Sequence, residues 1–444
     1  MASSDSHSCK RASLHTLGCR LNQSESLILQ EQLEADGYEI VPYGDPADLA
    51  IVNTCTVTHD ADAKCRKAIR GFIKKNPDAY VAVIGCYSQM DSKALTEIDG
   101  VDLIVGNQEK MNVLSYISEG KNEHALIIRD QIVRDDFTIE TVDSGAFARR
   151  ANLKIQDGCD FMCTFCIIPF ARGRSRSRAM DNLLEEAQKL VSRGALELVI
   201  TGVNIGTYAY AGMTVVDVVD RLNEIDGLAR IRISSIEPTT IPEELFERMN
   251  DPDHALVPYL HIPLQSGSNH VLGLMKRLYT REDYIAFVND AAQRVPGLCI
   301  GTDIMVGAPG ETESDFEETC NLLLNGPISY AHVFKYSERD GTAALRIVEK
   351  VDAAEKNRRS VVIRRISGQK SVEYHHQHIG QIVKVLFETE ENGCWSGYTE
   401  NYIRVVVQTD VTLKNVIRPV RLVETCGDFM SATLMESALT ETRN

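Results

Sequence analysis

The sequence contains no apolar run of the roughly 18 residues that a membrane-spanning helix needs, and its start, MASSDSHSCKRA, carries no apolar stretch of the kind that exports a protein. A soluble, cytoplasmic protein with no membrane partner is expected. Walker A, HExxH and GxGxxG patterns are also missing, so NTP hydrolysis, zinc proteolysis and dinucleotide redox chemistry lose their usual sequence support. Positive charge is short as well: 47 Lys and Arg against 63 Asp and Glu leave a net charge of −16, the opposite of a general nucleic-acid footprint. There is no low-complexity tract, and no internal repeat beyond simple strand-helix units.

What is present starts with size and cysteine. A chain of 444 residues with 43% hydrophobic content suggests about three domains, each able to bury a core. It holds 12 cysteines, and in a reducing compartment their thiols stay free for metal binding or catalysis rather than pairing as disulfides. Charge is also focused locally. Between Arg149 and Arg178 seven basic residues face only Asp157 and Asp160, and between Glu355 and His378 six face two glutamates. An acidic body with such strips can still bind RNA.

Three segments follow from the patterning. To about residue 146, the apolar strands ASLHTL, DLAIVNT and YVAVIG run into Cys19, Cys55 and Cys86, and helical stretches follow each of them. Such alternation predicts an open parallel α/β sheet, with ligands gathered outside the carboxyl ends of the strands. Residues 147–350 hold six strand candidates, NLKIQ, ELVITGV, RIRISSIE, YLHIPLQ, CIGTDIMVG and YAHVFKYS, separated by helices. They read as a partial (β/α)6 barrel whose functional groups sit at the strands' carboxyl ends. A basic helical linker, 351–378, leads to a tail, 379–444, in which IVKVLF, YIRVVVQ and VIRPVRLV alternate without helices and predict a small all-β barrel or sandwich. The fold class is therefore α/β with an all-β tail. In the linker, His375 to His378 read as a solvated HHQH stretch rather than a metal site.

The sharpest motif is GCDFMCTFC, where Cys159, Cys163 and Cys166 follow strand NLKIQ at C-x3-C-x2-C spacing. A loop this short wraps one face of a 4Fe-4S cube but supplies ligands for three irons only, leaving the fourth open for a substrate-like chelator. A zinc site would need another ligand close by, and the nearest downstream histidine is His254.

This motif, with Phe165 just before the last cysteine, resembles the radical S-adenosylmethionine (SAM) signature, and the whole chain is most similar to the methylthiotransferase family within it. The segments LGCRLNQSES, NTCTVT and GCYSQ resemble the family's N-terminal domain. That resemblance implies an auxiliary 4Fe-4S cluster on Cys19, Cys55 and Cys86, beside the SAM-binding cluster on Cys159, Cys163 and Cys166. Cys9, Cys65, Cys299, Cys320, Cys394 and Cys426 are taken as non-ligands. TGVN, SSIEP, HIPLQSGS and DIMVGAPGETESDF resemble the family's cofactor-binding strand ends, which implies SAM contacts by Phe165, Asn204, Glu237, Gln265 and Gly307. Thr312 and Asp315 suit a capping box opening the next helix, and Arg277 matches a basic family position.

The sequences around the N-terminal cysteines look most like the branch acting on threonylcarbamoyladenosine in tRNA, and the tail resembles an RNA-contacting TRAM domain. The implied reaction adds a methylthio group to carbon 2 of the adenine ring next to the anticodon, with a low-potential electron donor as a further partner. From residue 379 onward, however, six Lys or Arg face nine Asp or Glu. RNA binding is therefore expected at the linker and at Arg172, Arg174, Arg176 and Arg178, whose alternation in an extended segment puts all four on one face. Isopentenyladenosine in tRNA or a ribosomal protein are the alternative substrates, and a non-catalytic iron-sulfur protein that binds RNA is the reading from another class.

Overall fold

The computed structural model describes residues 10–118, 120–140 and 150–435. Cys9 and Arg149, weighed above, lie outside them, as does the expected boundary at residue 146. The chain divides into two compact units, Met1–Gly227 with Ser337–Arg346, and Leu228–Tyr336 with Ile347–Asn444.

The first unit opens with a six-stranded parallel sheet in the order β2-β1-β3-β4-β5-β6. Its strands are β1 (Arg11–Thr16), β2 (Glu39–Ile40), β3 (Leu49–Thr54), β4 (Tyr80–Gly85), β5 (Leu103–Val105) and β6 (Leu126–Ile128). The two central strands β3 and β4 are buried along their whole length, as parallel strands covered on both faces are. Alternate side chains go to opposite cores: Val52, Val81 and Val83 meet Ile69 and Phe72 on one side, while Ile51, Ala82 and Ile84 meet Leu29 and Leu33 on the other. The short strands β2, β5 and β6 are additions to the sequence expectation. Further along, β7 (Arg150–Lys154) pairs in parallel with β10 (Glu197–Thr201), and between them β8 (Gln156–Asp157) and β9 (Arg176–Ser177) form a small antiparallel ribbon.

In the second unit come β11 (Arg230–Ile233), β12 (Tyr259–His261), β13 (Cys299–Val306) and β14 (Tyr330–Lys335), the last three paired in parallel. All six expected strands of the central segment are thus present, and each is followed by a helix. The linker is a helix, Ala353–His376, opened by the Asp352 side chain accepting from the Glu355 amide. The tail, β15 (Ile382–Glu391), β16 (Cys394–Thr399), β17 (Arg404–Gln408), β18 (Val416–Thr425) and β19 (Met430–Leu434), closes as a barrel in the order β15-β16-β17-β19-β18. Phe387, Val405, Val420, Leu422 and Met430 fill it. Among the described residues no helix is long and apolar enough to cross a membrane.

One expectation about the linker needs correction. His375 and His378 are both buried: His378 hydrogen-bonds the Tyr374 carbonyl through Nδ1 and Asn401 through Nε2. This half of the HHQH stretch is therefore packing, because the helix end turns these two rings inward.

Candidate cluster and cofactor site

The three N-terminal cysteines sit where the sheet delivers them. Cys19 caps the helix Arg20–Ala35, Cys55 follows β3, and Cys86 begins the helix Cys86–Met90 directly after β4. Cys19 is exposed, whereas Cys55 and Cys86 are buried. Gly18 adopts φ +106°, and a Cβ there would stand 2.7 Å from Cys55 Cβ and 3.0 Å from its Sγ, so only glycine lets the Cys19 turn close on Cys55. Burial pushes the Cys55 thiol up to about 12, and the neighbouring Cys86, Cys19 and Cys65 sulfurs add to the rise. Cys65, buried in the helix His59–Lys75, donates to the Cys55 carbonyl at 3.4 Å and so is engaged by the backbone.

Two asparagines frame these thiols. Cys19 Sγ approaches Asn22 Oδ1 at 3.9 Å, and Asn22 Nδ2 donates to the Leu17 and Thr54 carbonyls at 2.7 and 3.0 Å. Asn107 Nδ2 donates to Cys86 Sγ at 3.5 Å and to the Ala171 carbonyl at 2.6 Å. Among the described residues no three His, Cys, Asp or Glu side chains converge tightly enough for a single metal ion. A 4Fe-4S cube asks for less, because each thiolate meets a different iron. Three sulfur donors at adjacent strand ends fit such a cube.

The second cysteine loop leaves β8. Cys159, Cys163, Cys166 and Phe165 are half-buried. The Cys159 amide donates to the Gly173 carbonyl at 3.1 Å, and the Cys166 amide to the Cys163 carbonyl at 3.1 Å. Gly158, at φ +70°, is required: a Cβ there would stand 2.1 Å from the Arg174 carbonyl oxygen. Gln156, fully buried, ties the site together. Its Nε2 reaches the Gly158 carbonyl at 2.8 Å, and its Oε1 accepts from the Val203 and Asn204 amides at 2.8 and 3.0 Å. Asn204 is thereby held at the end of β10, next to the loop.

The remaining expected cofactor residues belong to the second unit. The backbone of Gln265, at φ +67°, bridges Asp303 and Met305 on β13. Glu237 pairs with Arg277, and burial raises its carboxyl pKa although Arg277 opposes the rise. Gly307 is buried, its amide donates to Glu311, and the Lys356 side chain fills the space a Cβ would take. The expected capping box is present, with the Thr312 side chain accepting from the Asp315 amide and Asp315 accepting from the Thr312 amide.

The four arginines depart from expectation. Only Arg174 is exposed. Arg172, 1% exposed, donates to Asn22 at 2.6 Å, Asp157 at 2.9 Å and Glu25 at 3.2 Å. Arg176 approaches Asp157 at 3.7 Å, and Arg178 pairs with Glu186 while its Nε donates to Asn182 at 2.8 Å. The short helix Ile168–Ala171 and the β8-β9 ribbon break the extended run, so these side chains turn towards distant carboxylates instead of sharing one face. Burial alone would raise Asp157 and Glu25, but the surrounding Lys154, Arg172 and Lys110 hold both carboxyls well below the usual range.

Residues 11–106 match the family described as "Uncharacterized protein family UPF0004", and residues 153–323 match the Radical SAM superfamily. The chain is 40% identical to the threonylcarbamoyladenosine tRNA methylthiotransferase MtaB of Bacillus subtilis, over 88% of this chain and 89% of that protein. The chain belongs to the radical SAM methylthiotransferase family. It is also 34% identical, over 84% of this chain and 85% of the relative, to the tRNA-2-methylthio-N(6)-dimethylallyladenosine synthase of Clostridium botulinum. The fold resembles the radical SAM methyltransferase TsrM of Kitasatospora setae, with a TM-score of 0.53, 17% identity and 73% of each chain covered. Radical SAM membership implies SAM and a 4Fe-4S cluster, and the GCDFMCTFC loop lies within the matched residues.

In this family member Asn107 meets Cys86, Gln156 holds Gly158, and Glu25 gathers Lys110, Lys154 and Arg172, yet none of Gln156, Glu25, Lys110, Lys154 and Asn107 stands out in the sequence. The only signal is that Glu25 and Asn22 share the LGCRLNQSES segment with Cys19.

Proposed function

We propose that this methylthiotransferase family member adds a methylthio group to carbon 2 of threonylcarbamoyladenosine in the anticodon region of tRNA, in the cytoplasm, using two 4Fe-4S clusters and SAM. The observation that carries this reading is the pairing of the two cysteine sets. Cys19, Cys55 and Cys86 gather at neighbouring strand ends, and Arg172 and Gly173 link that group to the Cys159 loop within one compact unit. Each set leaves one iron of its cube without a protein ligand. The auxiliary site then offers a place for the sulfur to be transferred, and the Cys159, Cys163 and Cys166 site a place for SAM.

Cys159, Cys163 and Cys166 would hold the cluster that, with SAM bound and an electron from a low-potential donor, would supply reductive cleavage of the sulfonium and hydrogen abstraction from carbon. The chain's own part is orientation and enclosure. Gln156 fixes Gly158 and Asn204 on either side of the loop, and the family resemblance is what assigns SAM contacts to Phe165, Asn204, Glu237, Gln265 and Gly307. Positioning counts for more here than proton transfer, because a carbon radical must meet its target before another group quenches it. The base leaves its loop stack to enter, at about a few kcal/mol. Residues 1–146 thus carry the auxiliary cluster, 147–350 the radical chemistry, and 379–444 an RNA-contacting tail joined by the helical linker 351–378. The threonylcarbamoyladenosine substrate is supported by the names of the 33–40% identical MtaB relatives, and dimethylallyladenosine is the second reading that the 34% relative supports.

Anaerobic incubation with dithionite and SAM tests the enzymatic reading. Deoxyadenosine is released by the native chain and not by its Cys159→Ala, Cys163→Ala, Cys166→Ala variant. No release from native protein with an intact cluster spectrum would leave the non-catalytic RNA-binding reading instead.

A further inference from the structure

Four cations, Lys110, Lys154, Arg172 and Arg176, are all at most 9% exposed in the first unit, and they share two carboxylates, Glu25 and Asp157, both at most 1% exposed. Lys154 lies 2.7 Å from Glu25 and 2.6 Å from Asp157, Lys110 pairs with Glu25, and Arg172 reaches both acids. Phe137 packs against Lys154 and Arg176 with the charges 5.1 and 5.5 Å from its ring centre, closing that side. The network therefore carries two more positive charges than negative ones. A buried cation without a partner is strongly unfavourable, so a surplus of this kind calls for an anion beside it.

The cysteine trio is that neighbour. Asn22 receives the Arg172 guanidinium at 2.6 Å and meets Cys19 Sγ at 3.9 Å, while Asn107 joins Cys86 Sγ to the Ala171 carbonyl just before Arg172. A cube held by three thiolates is anionic, and it becomes more so on reduction. We infer that the Lys110–Lys154–Arg172–Arg176 network is the counter-charge of the auxiliary cluster: it retains the cluster and raises its reduction potential. This rests on the reading above that Cys19, Cys55 and Cys86 hold a cluster. The cations favour the more negative, reduced cube through direct Coulomb attraction in a medium far less screening than water. Glu25 and Asp157 moderate the effect and fix the cations in place. Arg172 and Lys110 are positioning residues here.

The test uses the full-length chain with Cys159, Cys163 and Cys166 changed to Ala, so that one cluster remains, loaded with iron and sulfide and titrated under EPR. Arg172→Gln and Arg176→Gln lower the midpoint potential, Glu25→Gln raises it, and Arg172→Lys stays near the parent. Opposite signs for cation and carboxylate removal are what a merely structural role cannot give. Should Arg172→Gln fail to hold its cluster, Arg176→Gln decides, since Arg176 touches only the edge of the network at 3.7 Å. Midpoints that stay put, or that move the same way for Arg176→Gln and Glu25→Gln, overturn the inference. A parent that binds no cluster at all overturns the two-cluster reading first, and with it this one.

Discussion

Arg232 on β11 donates to the carbonyl of Thr399 at the end of β16, 167 residues away, at 3.2 Å, with its guanidinium fully buried. The same group donates to the Glu400 carbonyl at 2.8 Å and lies over the rings of Tyr259 and Tyr402 at 5.2 and 5.0 Å. Arg230, two residues earlier, reaches the Tyr398 and Lys384 carbonyls at 3.0 and 2.8 Å. Within the second unit, two arginines of one strand therefore hold the tail barrel by its backbone. Arg232→Ala takes a buried donor from the Glu400 carbonyl and from the Thr399 carbonyl, which keeps only the Tyr402 amide, and is expected to lower unfolding stability by about 3 kcal/mol. Arg232→Lys, which keeps the charge but not the planar fork, recovers only part. Urea unfolding monitored at Trp395, inside the barrel, measures both, and an unchanged midpoint for Arg232→Ala would count against the clamp.

Asp315 gives a pH prediction. Burial alone would raise its carboxyl, but hydrogen bonds from Ser268, the Thr312 hydroxyl and amide, and His270 bring it down to about 2. A depressed carboxyl stabilises the fold above its unfolded value and loses that contribution as pH falls through the folded one. Asp315→Asn should therefore cost about 2 kcal/mol near neutral pH. The gap between variant and native should narrow steadily from about pH 4 towards pH 2. A gap that stays constant across that range would contradict the assignment.

The arginine run now predicts a small electrostatic footprint. Of the four side chains only Arg174 is free of burial, so Arg174→Ala should lower the log-log salt slope of tRNA binding by about 0.7. Changes at Arg172, Arg176 or Arg178 should destabilise the fold while leaving the slope of the folded fraction unaltered. A loss of roughly three units on replacing all four, with folding intact, is what four phosphate contacts would give.

These arginines also mark where sequence reasoning stops. Their acids, Glu25 and Glu186, lie 147 and 8 residues from their partners and only the fold brings them in; counting charges within the run finds Asp157 and Asp160 alone. The strands DLAIVNT and YVAVIG were legible because a strand covered on both faces is apolar throughout. β5 and β6, three residues each, carry too little pattern to stand out. Strand-end cysteines could be read as convergent because parallel strands share one carboxyl edge. The Thr312–Asp315 cap was legible because a capping box is local, whereas Gln156, which ties the loop to Asn204, gives no local sign at all.

Separability of the two cysteine sets follows from their different strands. If each set ligates one cube, as proposed, replacing Cys19, Cys55 and Cys86 by Ala should remove about half the cluster iron and leave deoxyadenosine release intact but uncoupled from product. The variant lacking Cys159, Cys163 and Cys166 should keep the other half and cleave no SAM. Loss of cleavage in the first variant, with its remaining cluster visible by Mössbauer spectroscopy, would require the cysteines to be regrouped.

The most direct test is mass spectrometry of tRNA nucleosides after the chain is expressed in a host lacking its own methylthiotransferases. 2-Methylthio-threonylcarbamoyladenosine is expected in place of threonylcarbamoyladenosine, and is expected to be missing when either cysteine set is replaced. Methylthio groups appearing on isopentenyl-type adenosine instead, or on no nucleoside while both clusters are present, would contradict the proposed function.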